Sequence, residues 1–543
     1  MTSLLRIASS LIAATVLAIV LGGCSAPAPS SGDGSSSELS VGATSADSSA
    51  AVKGAEPLVL IVVGFAGDEN GKNAVPYRND FDWHDMVFRS DKGVSAFYSD
   101  QSFGAFTWVP ARETSAFGVD GNTCAPDAEN DGVMHVVLPR GHGHWFASQD
   151  ESDRQGMLGF ETATEEQAAR VRDFEQSTVE ALREAAKHID FASYDTNGNG
   201  AIDGDELGVA VVYAGYDVNS AWIDMLDEGE FPRMQAHAFS SLDVGINRGP
   251  DFVPDSGVIM GEHELRVPTS RVEDKQVDMN VVDFAPCSAS SLTHELGHFL
   301  KLPDYYDTTN DETAPWRLWT AGSLSAMDYG AVLRVPTGDD SYEVSTAGFD
   351  PLSRGKLGWL QPQAVSASGT YEVRADGAPG GKNVLRVETG REGEYFLIEN
   401  RQTTGFDAAL QGQYGQEQTG GIVVWHVDEG VYDAYLEADQ VNQPSHRPAL
   451  TVQYLMNDDG PSGAGSGHTL QFADSATSDD ETAFWDSASA KKRFAELGID
   501  AFQLWKYGEG EAADDPHARE YCGIYLTFPD ESADVMRVEI SFR

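Results

Sequence analysis

The segment Thr293-His294-Glu295-Leu296-Gly297-His298 sets two histidines four residues apart around a glutamate. On an α-helix, positions i and i+4 leave from the same face, so His294 and His298 can reach one metal ion. Two neutral imidazoles leave a zinc ion room for a third protein ligand and a water. Glu295 lies beside them, able to take that water's proton and later return it to a leaving amine. This is the H-E-x-x-H pattern, whose chemistry needs these residue types at this spacing. The rival reading is coincidence on a core helix. With only 13 histidines in 543 residues, it is the poorer one.

A third ligand separates the known solutions. One takes a glutamate from a second helix downstream; Leu318 occupies that neighbourhood here, and the nearest acids are Asp311 and Glu312. The other turns the chain sharply after the second histidine and takes a ligand just beyond, which is Asp304 after Pro303. Further on, Ser325-Ala326-Met327-Asp328-Tyr329-Gly330 puts a methionine in a tight turn with a tyrosine two residues later. This resembles the Met-turn of metzincins, in which Met327 would underlie the metal and Tyr329 would donate a hydrogen bond to the tetrahedral oxyanion.

With the H-E-x-x-H-x-x-G-x-x-D arrangement in view, the chain resembles the M6, or immune inhibitor A-like, metallopeptidases. Phe97-Tyr98-Ser99-Asp100-Gln101-Ser102-Phe103-Gly104 precedes the metal helix as in that family. Leu302-Pro303-Asp304-Tyr305-Tyr306-Asp307 and Leu352-Ser353-Arg354-Gly355-Lys356-Leu357-Gly358-Trp359-Leu360 follow it. Glu394 to Gln402 and Ile422 to Glu429 are similar to later family elements. The resemblance implies a zincin-like catalytic domain with His294, His298 and Asp304 as zinc ligands and Glu295 as the base. It also implies protein or peptide substrates. One departure is Lys301, which stands where the family has glycine at the sharp turn; a left-handed backbone there costs a non-glycine residue about 1 kcal/mol or more.

A second metal site is independent of the first. Asp195-Thr196-Asn197-Gly198-Asn199-Gly200-Ala201-Ile202-Asp203-Gly204-Asp205-Glu206 matches the twelve-residue calcium loop. Asp195, Asn197, Asn199, the Ala201 carbonyl, Asp203 and Glu206 supply the oxygens, and Gly200 makes the bend. A helix enters the loop and a strand leaves it, so it reads as a structural staple rather than a sensor. His142 and His144 read as an exposed Gly/His loop, and His426 as a structural residue. A latency thiol at Cys124 or Cys287 is the weaker reading of those cysteines.

These groups need elements to hold them. Leu58 to Phe65 and Leu207 to Tyr213 are continuous apolar runs, as in strands covered on both faces. Between them, 163–190 carries apolar residues three and four apart and reads as a helix. A short helix is expected over 288–300. Strands and helices alternate to about Pro362, giving an α/β or α+β catalytic domain over 57–362. Beyond it short strands lie between Gly, Asp and Ser turns, as at 371–374, 395–398, 421–425 and 538–542, with a helix near 488–497. Residues 363–543 therefore read as a mostly-β, sandwich-like C-terminal domain.

Ahead of the fold, Arg6 and the apolar run Ile7 to Val20 end at Leu21-Gly22-Gly23-Cys24. The run is shorter than the about 20 apolar residues a bilayer span needs, so 1–23 reads as a signal peptide. Its end resembles a bacterial lipoprotein signal, which makes Cys24 the lipid-modified N-terminus. Residues 24–56, rich in Ser, Ala, Gly and acids, follow as a flexible tether. The expected location is outside the cytoplasm, lipid-anchored to the cell surface. In that oxidising compartment Cys124 and Cys287 are the expected disulfide pair. With 36 Lys and Arg against 86 Asp and Glu, the net charge is 36 − 86 = −50. So acidic a chain repels phosphate backbones, which excludes nucleic-acid binding driven by counterion release. The expectation is a monomeric zinc endopeptidase stabilised by calcium. Its alternative is a calcium-stabilised surface binding or adhesion lipoprotein carrying a relic protease domain.

Overall fold

The computed structural model describes residues 51–78, 80–113, 131–145, 164–202, 204–217, 233–234, 236–239, 242, 244–245, 252–266, 283–306, 320–336, 342–411, 420–443, 446–453, 485–498, 500–508 and 519–543. The signal run, Cys24, Cys124, Asp203, Asp311, Glu312 and Leu318 lie outside them. No described helix is long and apolar enough to cross a membrane.

The first sheet has eight strands: β1 (Gly54–Phe65), β2 (Phe106–Pro110), β3 (Val133–Leu138), β4 (Gly208–Asp217), β5 (Arg233–Met234), β6 (His237–Phe239), β7 (Gly257–Arg266) and β8 (Asp283–Pro286). β1 pairs in parallel with β2 and β3 along its two halves and with β4 on its other side. β7 runs parallel to β4, while β6 and β8 are antiparallel to β7. The apolar run in β1 divides by alternation. Leu58, Leu60 and Val62 join one core cluster, and Val59, Ile61, Val63 and Phe65 join another. Both faces are covered, which is why the run has no polar phase.

Among the described residues three α-helices pack on this sheet: α1 (Val94–Gln101), α2 (Glu165–Ala185) and α3 (Ala289–Phe299). Helix α2 opens with a capping box between Thr164 and Gln167. It turns Phe174, Leu182 and Ala185 onto the sheet face that carries Val59 and Ile61. Phe174 and Leu182, buried there, contribute about 1.5–3 kcal/mol each. Helices α1 and α3 lie with the opposite face, through Phe97, Tyr98, Leu292 and Leu296.

Strand β1 starts at Gly54, ahead of the expected Pro57. Val52 is already tied down, its N–H donating to Leu357 at 3.1 Å and its carbonyl accepting from Trp359 Nε1 at 2.7 Å. Residues 51–56 therefore belong to the fold rather than to the expected tether.

A small hairpin, β9 (Leu333–Pro336) with β10 (Tyr342–Ser345), and α4 (Pro351–Lys356) lead to the β-rich part. There a five-stranded sheet runs in the order β11 (Gln363–Val365), β13 (Leu385–Glu388), β14 (Glu394–Gln402), β15 (Gly420–Asp428), β16 (Leu450–Val452). A four-stranded sheet runs β12 (Gly369–Arg374), β19 (Val535–Phe542), β18 (Arg519–Thr527), β17 (Phe502–Tyr507). The described α-helices of this part are α5 (Glu429–Tyr435) and α6 (Ser487–Leu497). The two sheets share a core of Phe396, Ile398, Val424, Leu504, Leu526 and Val538 among others. The molecule is mixed α/β with a β-rich second part.

Leu397, Val423, Trp425 and Val427, also on β14 and β15, belong instead to the cluster that contains α1 and α3. The middle strands of the five-stranded sheet are therefore buried on both faces. The texture of the chain changes at Pro362, but the core does not.

Candidate metal centre

Helix α3 carries the first two donors, and its surroundings fix their direction. Ser288 caps its start. The Tyr98 hydroxyl donates to the Thr293 carbonyl at 2.8 Å, tying α3 to α1. At its end Lys301 N–H donates to His298 O at 2.8 Å and Leu302 N–H to Gly297 O at 3.0 Å. That pair of bonds is a Schellman turn. Lys301 has φ 71°. The position is left-handed just as a glycine would be, with the lysine bearing the strain.

The turn brings Asp304 back to the histidines. His294 Nε2 and His298 Nε2 stand 3.1 Å apart, and Asp304 Oδ1 is 3.2 and 3.3 Å from them. Ligands bonded to one tetrahedral zinc at about 2.0–2.1 Å stand about 3.3 Å from one another, so the triangle has the size of such a shell. Among the described residues these three form the one group of His, Cys, Asp or Glu close enough to share a metal.

The far ring nitrogens settle the tautomers. His294 Nδ1 lies 2.7 Å from the Ala326 carbonyl oxygen and His298 Nδ1 2.9 Å from that of Leu302. A carbonyl only accepts, so each Nδ1 donates and each Nε2 turns to the shared centre.

Electrostatics agree with the geometry. Burial opposes charge on both rings, yet the Asp304 carboxylate outweighs it, raising His294 and pushing His298 up to about 10. Burial would raise Asp304, but the two rings hold it well below the usual carboxylate range. The centre calls for positive charge, which a divalent cation supplies. Neither Asp304 oxygen nor Glu295 Oε2 has a hydrogen-bond partner of good geometry, although all three are buried. Burial pushes Glu295 up to about 7, with His294 and His298 pulling the other way.

The turn at Met327 lies under the helix. A Cβ on Gly297 would fall 2.4 Å from Met327 Sδ, so the glycine inside the motif is what lets the methionine pack there. A mid-helix glycine costs about 1 kcal/mol against alanine, and the contact with Met327 accounts for it here. Ala326, which accepts from His294, donates its own N–H to Gly348 O at 3.1 Å. Tyr329 starts a short helical turn, its N–H bonded to Asp328 Oδ1 at 2.7 Å. Its ring lies 5.9 Å from that of Tyr306, which in turn stacks at 6.3 Å on His294. Tyr306 was not singled out by sequence; it is buried beside the centre, and burial raises its hydroxyl well above the usual tyrosine value, with the Asp304 charge adding to it.

Also missed were supports from far along the chain. Arg401 on β14 donates to the carbonyls of Leu324 and Gly348 and is paired with Asp407 at 2.6 Å. Arg354 Nε donates to the Gln101 carbonyl at 2.9 Å, and Phe349 N–H to Gln101 Oε1 at 2.8 Å. The segments around Gln101, Arg354 and Arg401 therefore converge beside the Met327 turn.

In the twelve-residue loop, Gly200 N–H donates to Asp195 Oδ2 at 3.0 Å, and Asn197 and Asn199 each accept from the residue two further on at 2.8 Å. Glu206 Oε1 accepts from Thr196 N–H, Thr196 Oγ1 and Asn197 N–H at 2.7, 2.8 and 3.0 Å, closing the loop on itself. Gly198 and Gly200 have φ 73° and 85°. Asp195 Oδ1 is buried without a partner, as a cation ligand would be.

Three expectations need correction or placement. Cys287 and Cys522 are free thiols. Cys287 is buried and donates to the Gly261 carbonyl at 3.1 Å, so it does not form the expected bridge. His142 is not exposed: it is buried under Trp145 and Phe65, with ring centroids at 4.8 and 4.9 Å, and burial lowers it to about 3. His426 is a buried structural residue, bonded to Glu394 at 2.8 Å. No protein-family model matches the chain, and neither does any curated protein sequence.

Proposed function

We propose that the chain is a zinc-dependent endopeptidase of the M6-like kind, displayed outside the cell on a lipid attached to Cys24. What supports the reading is the triangle of His294, His298 and Asp304 donor atoms at 3.1–3.3 Å, with Glu295 next in the chain. These residues fit zinc by donor type, spacing and tautomer. When bound there, zinc acidifies water and polarises the scissile carbonyl as a Lewis acid. Glu295 accepts the proton as water adds to the carbonyl carbon, then delivers it to the amide nitrogen as the C–N bond breaks. Tyr329 donates a hydrogen bond to the oxygen that gains negative charge. Calcium in the Asp195–Glu206 loop holds the region between α2 and β4.

The test is zinc analysis and digestion of a proteome-derived peptide mixture, with and without 1,10-phenanthroline. The wild type is expected to carry about one zinc per chain and to cleave until chelated. Glu295→Ala should keep the zinc and lose about 10²–10⁴-fold in rate. His294→Ala should lose the zinc as well. Full cleavage by Glu295→Ala sinks the mechanism. A zinc-loaded wild type that cleaves nothing would favour the relic binding protein.

A further inference from the structure

We infer that Asp439, a residue of the β-rich part, positions the third metal ligand through a hydrogen bond to the backbone of Asp304. The inference rests on the metal reading above and concerns the residues that hold the ligand, not those that bind the ion.

Asp439 Oδ1 accepts the Asp304 N–H at 2.8 Å, across 135 residues of sequence. Three residues on, the buried Asn442 donates from Nδ2 to the Tyr305 carbonyl at 2.9 Å and to that of Leu450 at 2.7 Å. Its Oδ1 accepts from Ala449 and Leu450 N–H at 2.9 and 3.1 Å. Consecutive residues of the ligand turn are thus gripped from one short segment that is itself fixed to β16. On its other side the turn is held by Tyr305 N–H to Met327 O at 2.9 Å.

The consequence for the metal is geometric. Asp304 follows a strained turn, and its side chain faces His294 and His298 at 3.2 and 3.3 Å. What fixes its Cα, and hence the reach of Oδ1, is the backbone between Pro303 and Tyr305. Metal ligands held by such outer partners lose about 10–100-fold in affinity when the partner is removed.

Asp439 is also shaped for the task. It has φ 50° and ψ 48° at the end of the helical turn Leu436–Ala438, a left-handed conformation that Asp and Asn tolerate better than most residues. Its own N–H bonds to the Leu436 carbonyl. The backbone aims the carboxylate outward at the neighbouring turn. The part of the chain beyond Pro362 thereby contributes to the metal centre without supplying a ligand.

The test uses the full chain and zinc itself. Asp439→Gly keeps the left-handed backbone free of strain and removes the acceptor. Asp439→Asn keeps both the acceptor and the conformation. Zinc affinity is measured by competition with a chromophoric chelator, and the ligand field is read from the visible bands of the cobalt-substituted chain. Melting of the metal-free chains reports fold alone. The expected result is a 10–100-fold weaker zinc affinity and altered cobalt bands in Asp439→Gly, with Asp439→Asn within a few-fold of wild type. Metal-free melting should change little in either. Zinc affinity and cobalt bands unchanged in Asp439→Gly overturn the inference. So does an equal loss in Asp439→Asn, which would assign the effect to charge rather than to the hydrogen bond. A wild type that binds no zinc overturns the metal reading and this inference together.

Discussion

Lys301 concentrates the difference between pattern and structure at the residue scale. The pattern requires a sharp turn between His298 and Asp304, and glycine is the residue that makes one cheaply. The structure makes the same Schellman turn with a lysine at φ 71°. The bonds of the turn are formed, so the substitution changes its energy rather than its shape. Lys301→Gly should therefore raise stability by about 0.5–1 kcal/mol, relieved strain exceeding the extra entropy of glycine in the unfolded chain. Urea unfolding of the metal-free protein measures it, and a destabilised variant would show that the turn is unstrained. Sequence made His294, Glu295, His298 and Asp304 legible because their spacing maps directly onto a helix and its turn. It could not reveal Tyr306 or Asp439, whose roles come from contacts that no local pattern encodes.

Among the elements, β1 and β4 were legible because both faces are apolar. Strand β7 was not. Its second half, Gly261-Glu262-His263-Glu264, looks solvent-exposed, yet Glu262 and Glu264 are buried. Glu262 Oε1 accepts the Arg78 N–H, and burial pushes the carboxyl up to about 7 despite that bond. The sign follows. Between about pH 4.5 and 7 the unfolded chain has lost this proton and the folded chain retains it, so the contribution is full below pH 4.5 and lost as pH rises through 7. Glu262→Gln keeps the acceptor and removes the titration. It should flatten the fall in stability over that window and stabilise the protein above pH 7, by up to about 3 kcal/mol. Melting curves from pH 5 to 8 decide it; parallel curves for variant and wild type would exclude the effect.

The Asp195–Glu206 loop is an element of another kind, read from sequence as a motif, with Asp203 outside the described residues. Its end packs against the metal helix: Gly204 has Phe299 as its nearest neighbour, with a Cβ there 3.1 Å from the Phe299 carbonyl. Calcium should raise the melting temperature by binding the folded state preferentially, and Glu206→Ala should abolish that increment. A calcium-dependent shift that survives in Glu206→Ala would place the ion elsewhere.

On the scale of the molecule, the expected division at Pro362 marks a change of architecture without a change of core. Trp425 and Leu397 of the five-stranded sheet lie in one cluster with Leu296 and Met327 of the candidate metal site. Arg401 grips the carbonyls beside the Met327 turn, and Asp439 grips Asp304. Sequence could show that 363–543 is β-rich, because alternation and turn residues are local. It could not show that the middle strands are buried twice, since that depends on which part of the chain covers the second face. Two parts joined by so much shared apolar surface should unfold together. Calorimetry of the metal-free chain is expected to give one transition, with calorimetric and van't Hoff enthalpies equal. A chain ending at Pro362 would expose the cluster around Leu296 and Met327 and lose both grips on the metal turn. It should aggregate or bind zinc poorly. A soluble fragment spanning 51–362 that melts cooperatively and binds zinc as tightly as the full chain would show that the second part is an appendage, and would remove the basis for treating the molecule as one unit.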